Sequence, residues 1–343
     1  VTPLQRSSKD HLKLTSAEIG KLWATYIGNT LGKCVISYYL NHTEDSDIKN
    51  VLQQALKLSE SIMNKIKDIL KQENFPIPIG YTEEDVNVDA PRLYEDEFYL
   101  HYLRYTSKAG LSIYSIAIPL VTRKDLREFF KQTAMKTEEL ISMVNKVMMD
   151  KGLLVKPPVL PIPDEIDTIK NQSFLNGLFG HIRPLHALEI THLYDNIDNN
   201  ITSKALLIGF SQVAKDEQVR QFFIRGRKIT DNHIRMNSKK MHKDHLPYPY
   251  LLDNLVTSSN VAPFSDKIMM AHKIDMFSMK IRSYANAMSL STRRDLSGMY
   301  SKMIMDVGLF VEDGANIVIN RGWMEQPPSA IDRNKLAPTH KAN

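Results

Sequence analysis

One cysteine, Cys34, is all that 343 residues contain. A single thiol excludes an intramolecular disulfide framework and any cysteine-built zinc cage, and it favours a reducing compartment. Glycine (14) and proline (16) are too sparse for a collagenous or low-complexity chain. No apolar run reaches the roughly 18 residues of a membrane span. The opening Val1-Thr2-Pro3-Leu4-Gln5 lacks the pattern of a secretory signal. Excess charge is also scarce: the net value is +5, weak for a nucleic-acid binder, and the basic surplus lies in the second half. No RNA-recognition, helix-turn-helix or zinc-finger pattern accompanies it. These absences point to a cytoplasmic protein without nucleic-acid or membrane partners.

The chain does contain a duplication. Shifting the sequence by 171 sets Leu14, Glu18, Ile19, Leu22, Asn29 and Lys33 on Leu185, Glu189, Ile190, Leu193, Asn200 and Lys204. Phe75-Pro-Ile-Pro78 falls on Leu246-Pro-Tyr-Pro249, and a one-residue slip matches Ala90-Pro91 with Ala262-Pro263. A shift of 170 then aligns Thr122-Arg-Lys-Asp-Leu126 with Thr292-Arg-Arg-Asp-Leu296, and Gly152 with Gly322. Two homologous units follow, at 12–156 and 184–328, with an interdomain linker over 157–183 and a disordered tail over 329–343.

Each unit reads as four long helices. Ile48, Val51, Leu52, Ala55, Leu58, Ile62, Ile66 and Ile69 recur at three- and four-residue spacing, which is one apolar stripe. Thr15 stands three residues before Glu18 as a capping box, and Thr122–Asp125 and Thr292–Asp295 read as similar starts. Gly152 and Gly322 sit where a glycine ends a helix ahead of a proline pair. The pattern predicts helices near 15–42, 45–73, 94–120 and 122–151, then 186–214, 216–245, 264–290 and 292–320. Within each unit, Pro76, Pro78 and Pro91 (Pro247, Pro249 and Pro263 in the second) enforce an extended connection of about 20 residues, enough to cross a bundle end to end. Short first and third links with one long B–C crossover specify an all-α chain of two tandem ferritin-like four-helix bundles. In the linker, Phe174–Phe179 is expected to dock on a bundle. Tyr99, Tyr102 and Tyr105 exceed one stripe, so the bundles are expected to pack face to face through them.

Several runs carry a family resemblance: Glu18-Ile-Gly-Lys-Leu-Trp23, Glu73-Asn-Phe-Pro-Ile-Pro78, Asp85-Val-Asn-Val-Asp-Ala-Pro-Arg-Leu93, Ser211-Gln-Val-Ala214, Glu312-Asp-Gly-Ala-Asn316 and Gly322-Trp-Met-Glu-Gln-Pro-Pro328. Together the chain resembles the tandem proteins of spore-forming bacilli built from the domain of unknown function numbered 3231. The resemblance implies a ferritin-like fold in each half, no assigned activity, and an association with sporulation or stress.

A ferritin-like fold raises the question of a carboxylate-bridged metal pair, which needs inward glutamates and Glu-x-x-His pairs on neighbouring helices. The only such pair is Glu189-Ile-Thr-His192, and its first-unit partner Glu18-Ile-Gly-Lys21 has no imidazole. Helical geometry turns His192 away from the apolar face. Neither bundle is therefore expected to hold a di-metal site. One cluster stays open: His233 lies on an apolar face, His272 and Asp275 share a face at i, i+3, and Glu189 could lean toward them. It reads either as a hydrogen-bonded core network or as a single metal ion held by Glu189, His233, His272 and Asp275 in the second bundle. Cys34, among Ile27, Val35 and Tyr38, reads as a buried structural thiol. The expectation is a non-enzymatic helical scaffold without cofactor, acting through an unknown protein partner or self-association. The rival is a metal-binding protein or metal-dependent oxidase.

Overall fold

The structure, a computed structural model, describes residues 13–336. The first unit consists of α1 (Ser16–His42), α2 (Ser46–Gln72), α3 (Asp96–Leu120) and α4 (Lys124–Asp150). The second consists of α5 (Ala187–Val213), α6 (Glu217–Lys243), α7 (Asp266–Leu290) and α8 (Arg294–Asn320). Hairpins α1–α2 and α3–α4 pack side by side, as do α5–α6 and α7–α8. The long crossovers contribute one 3₁₀ turn each, Glu83–Asp85 and Asp253–Leu255. The fold is all-α, and no strand occurs among the described residues beyond two isolated bridges. Among them, too, no helix is long and apolar enough to cross a membrane.

Local chemistry explains the boundaries. Asp45 and Asp216 cap α2 and α6, each accepting from backbone amides of the first turn. Lys151 and Arg321, arriving from the ends of α4 and α8, bind those same carboxylates at 2.8 and 2.6 Å. Gly152 and Gly322 take φ of +69° and +65°, the left-handed turn that ends a helix and that side chains disfavour. The expected threonine caps of α4 and α8 are a correction. Arg123 and Arg293 hold the cap positions without a side-chain cap bond. Thr122 and Thr292 instead donate amide and hydroxyl to Glu18 and Glu189 on the neighbouring hairpin.

The two units pair about a pseudo-two-fold axis. Val86 bridges Phe264 and Tyr94 bridges Val256, and the bonds are reciprocal. The Asn87 amide donates to the Pro263 carbonyl and Thr257 to Leu93; Glu95 donates to Leu255 and Ser265 to Asp85. This reciprocity makes Leu93 the counterpart of Pro263, so the Ala90-Pro91 match with Ala262-Pro263 is two residues out of register. Beside the axis Tyr102 Oη meets His272 Nε2 at 2.6 Å, two residues that occupy equivalent positions in their units. Tyr99 and Tyr102 are buried as expected, and the Tyr105 hydroxyl donates to the Met276 carbonyl at 3.1 Å. One hydrophobic core therefore runs from α5–α8 into the near half of α1–α4, and a second, smaller core fills the far half.

Between the units, Gly177 packs on Asp295, and the Arg183 guanidinium stacks 4.0 Å above the Phe174 ring. Docking stops there: Leu178 and Phe179 are exposed. The tail expected to lack structure holds a single helical turn, α9 (Arg333–Leu336), and its residues 337–343 lie outside the described residues.

Candidate functional site

Two places concentrate unusual chemistry: the centre of the second bundle, and a cavity between the units. The bundle centre is built from α5, α6, α7 and α8. Lys280 reaches inward from α7, donates to Thr230 Oγ1 at 2.9 Å and lies 3.8 Å over the Phe277 ring. Lys273, two turns earlier, donates to Ser203 Oγ at 2.8 Å. Burial pushes both amines well below the ordinary lysine range, because a charge is costly away from water. His233 on α6 is fully buried; its Nδ1 meets Tyr284 Oη at 3.1 Å and its Nε2 meets Asp306 at 3.3 Å. Burial, aided by Lys280, lowers its pKa to about 4 despite Asp306. Asn200 completes the chain of bonds by donating to Tyr284 Oη at 2.8 Å.

The four residues expected to share a metal do not converge. Glu189 stays at the far end of the bundle. There it accepts from the amides of His186, Thr292 and Arg293 and takes two bonds of 2.9 Å from Arg183. Burial alone would raise its pKa, but Arg183 and the amides outweigh burial and hold it at about 2. His233 is tied into the centre, and His272 is spent on Tyr102 in the unit interface, its pKa lowered by burial to about 3. Asp275 faces the cavity. No group of three His, Cys, Asp or Glu side chains suited to a metal ion occurs among the described residues. Glu189 is pulled away because helix starts need an anion: His186 and Glu189 form a capping box at α5, matching Thr15 and Glu18 at α1. Cys34 is buried and its thiol is pushed up to about 11, chiefly by burial.

The second place is a cavity of about 860 Å³ that opens between α1, α3 and α7 and reaches inward to Ser59 of α2 and Thr137 of α4, the centre of the first bundle, with Trp323–Pro327 at its side. The two sides of the pseudo-axis differ. On the other side α3 meets α5 through Arg104–Asp198 at 2.5 Å, Lys108–Asp195 at 2.8 Å and Lys108–Asp198 at 3.2 Å. The counterparts of these four residues are Ile274, Ser278, Ala24 and Ile27, which form no ion pair. On α1, Gly20, Ala24, Gly28 and Gly32 replace Thr191, Asp195, Asn199 and Ser203 of α5. On α3, Ser107 and Gly110 replace Phe277 and Lys280, the two side chains that fill the second bundle. Asp275 points into this space. It is open to the cavity yet deep in the protein, and desolvation raises its carboxyl to about 6, with Arg282 opposing. The spacing of small residues on α1, set against their second-unit counterparts, is the signal in the sequence that marks this hollow.

A family model described as "Protein of unknown function (DUF3231)" matches the chain twice, over residues 5–166 and 173–336. The chain belongs to this family. Both DUF3231 matches contain a complete set of four helices, so the duplication seen in the packing is the family unit repeated. A solved structure from Bacillus halodurans C-125, described provisionally as a spore coat protein, is 21% identical, covering 44% of this chain and 97% of that one with a TM-score of 0.40. No curated protein matches the chain.

Proposed function

We propose that this DUF3231 protein is a non-enzymatic helical scaffold, two bundles clamped into one fixed pair, which presents its outer faces to a protein partner or to further copies of itself. The observation that carries this reading is the filling of the second bundle's centre. Lys280 and Phe277 occupy it, and Thr230, Tyr284, Asn200 and His233 are bound to the chain's own groups. The nearest carboxylate, Asp306, is shared with Lys302 at 3.0 Å. In the first bundle the equivalent layer is Thr25, Ser59, Ser107 and Thr137, which offers neither carboxylate nor imidazole. Such surroundings favour packing over redox chemistry. The resemblance to a family of spore-forming bacilli supports a role for this scaffold in the sporulating cell. Elemental analysis of untagged protein tests the reading, with iron, manganese and zinc expected far below stoichiometry. About one equivalent of metal per chain, lost on His233→Ala or His272→Ala, would overturn it in favour of a metal-binding protein or oxidase.

A further inference from the structure

We propose that the cavity between α1, α3 and α7 binds an organic ammonium with an apolar body, the charged end seated against Asp275. The hollow is built into the sequence. Glycine weakens a helix interior, yet α1 carries Gly20 and Gly28 where an added Cβ would meet nothing within 4 Å. Both are exposed and line the cavity, so the space beside them is open and not filled by a neighbouring side chain.

Two polar groups in the wall wait for a partner. Asp275 makes no hydrogen bond or ion pair among the described residues, although it lies deep between the units. Thr25, 3% exposed and part of the same wall, has a hydroxyl without a hydrogen-bond partner. Asp275 is exposed toward the cavity and unpaired, so a cation entering there meets a carboxylate with no competing partner. The negative charge of Asp275 is felt at the Tyr81 hydroxyl, and Tyr105 and Tyr102 line the same cavity. Aromatic faces beside a carboxylate are the surroundings that hold alkylammonium groups through cation–π attraction.

The other charges of the wall leave this role to the ligand. Lys267 sits 5.5 Å over the Tyr81 ring, and Lys21 stands on α1, one turn or less from Gly20 and Ala24. Arg282 is exposed two turns along α7, about 10 Å from Asp275 along the helix axis. Glu325 is already bound, accepting from the amides of Ile79 and Gly80 at 2.8 and 2.7 Å. An anionic ligand would bring its charge against Asp275, whereas an ammonium compensates it.

Calorimetric titration of the full chain near neutral pH, with n-octylammonium, n-octanol and octanoate as probes, tests this. Octylammonium should saturate one site, with octanoate and octanol about ten-fold weaker or more. Asp275→Asn should weaken octylammonium about ten-fold while leaving the melting temperature in place. Gly28→Leu should abolish the titration by filling the hollow, again in a folded protein by circular dichroism. Equal or tighter binding of octanoate or octanol, unchanged affinity in Asp275→Asn, or no saturable heat in the wild-type chain would overturn the proposal. None of these outcomes bears on metal content, so the scaffold reading is tested separately.

Discussion

Glu18 and Glu189 occupy equivalent positions and do the same work, each collecting backbone amides from its own helix start and from the turn between the neighbouring pair of helices. The pairing of Thr15 with Glu18 was legible as a capping box; the second hairpin's claim on the carboxylate was not, because it comes from 104 residues away. Glu189→Gln should destabilise the protein by roughly 2–3 kcal/mol at neutral pH, since it leaves Arg183 without its anion. The folded-state pKa is depressed, so this stabilisation is complete above about 4.5 and is lost as pH falls toward 2. Urea titration across that range checks both sign and size. His233 and His272 behave alike at higher pH. Their folded-state values, about 4 and about 3, lie below the ordinary 6.5. The neutral forms are favoured on folding, so stability is full above 6.5 and falls as the solution is acidified. From pH 7.5 to 5 the loss should be roughly 3–4 kcal/mol, and His272→Gln should remove about half of that slope.

The helices were the most legible level, because apolar spacing recurs along each long segment, and the Thr15 cap and the glycines after α4 and α8 agree with it. Every predicted helix is present with ends within about three residues, which is the usual uncertainty at frayed termini. What periodicity does not reveal is which polar residue on an apolar face has found a partner. Nothing in the spacing of Lys273 and Lys280 marks them as buried; Ser203 and Thr230 are brought opposite them only by the fold. Glycines within α1 give an element-scale test. Gly28→Ala adds a methyl to open space and should stabilise the chain by about 0.5–1 kcal/mol through helix propensity. Gly152→Ala, at φ +69°, should cost about 1 kcal/mol instead. Paired thermal melts would distinguish the two directions.

At the scale of the whole molecule, the units bury Tyr94, Phe98, Tyr99 and Tyr102 against one another or in the core that joins them. Of the three tyrosines expected at the interface, Tyr102 and Tyr105 bond across it while Tyr99 stacks on Tyr39 of its own unit, and the ion pairs of Arg104 and Lys108 add a polar flank that residue spacing alone does not disclose. Cutting the chain within 157–183 should leave halves that co-purify when co-expressed, and a first half that aggregates or self-associates when made alone, as sedimentation velocity would read.

A symmetric assembly of identical subunits must display every substitution twice, once on each flank of its axis. Fusion of the copies into one polypeptide lifts that constraint. Mutations can accumulate in a single repeat, so one flank hardens into a strut with acidic and basic teeth while its mirror position is hollowed out. Ion pairs at Arg104 and Lys108, with Ile274 and Ser278 at the mirror positions, are an outcome open to a covalent tandem and closed to its homodimeric equivalent.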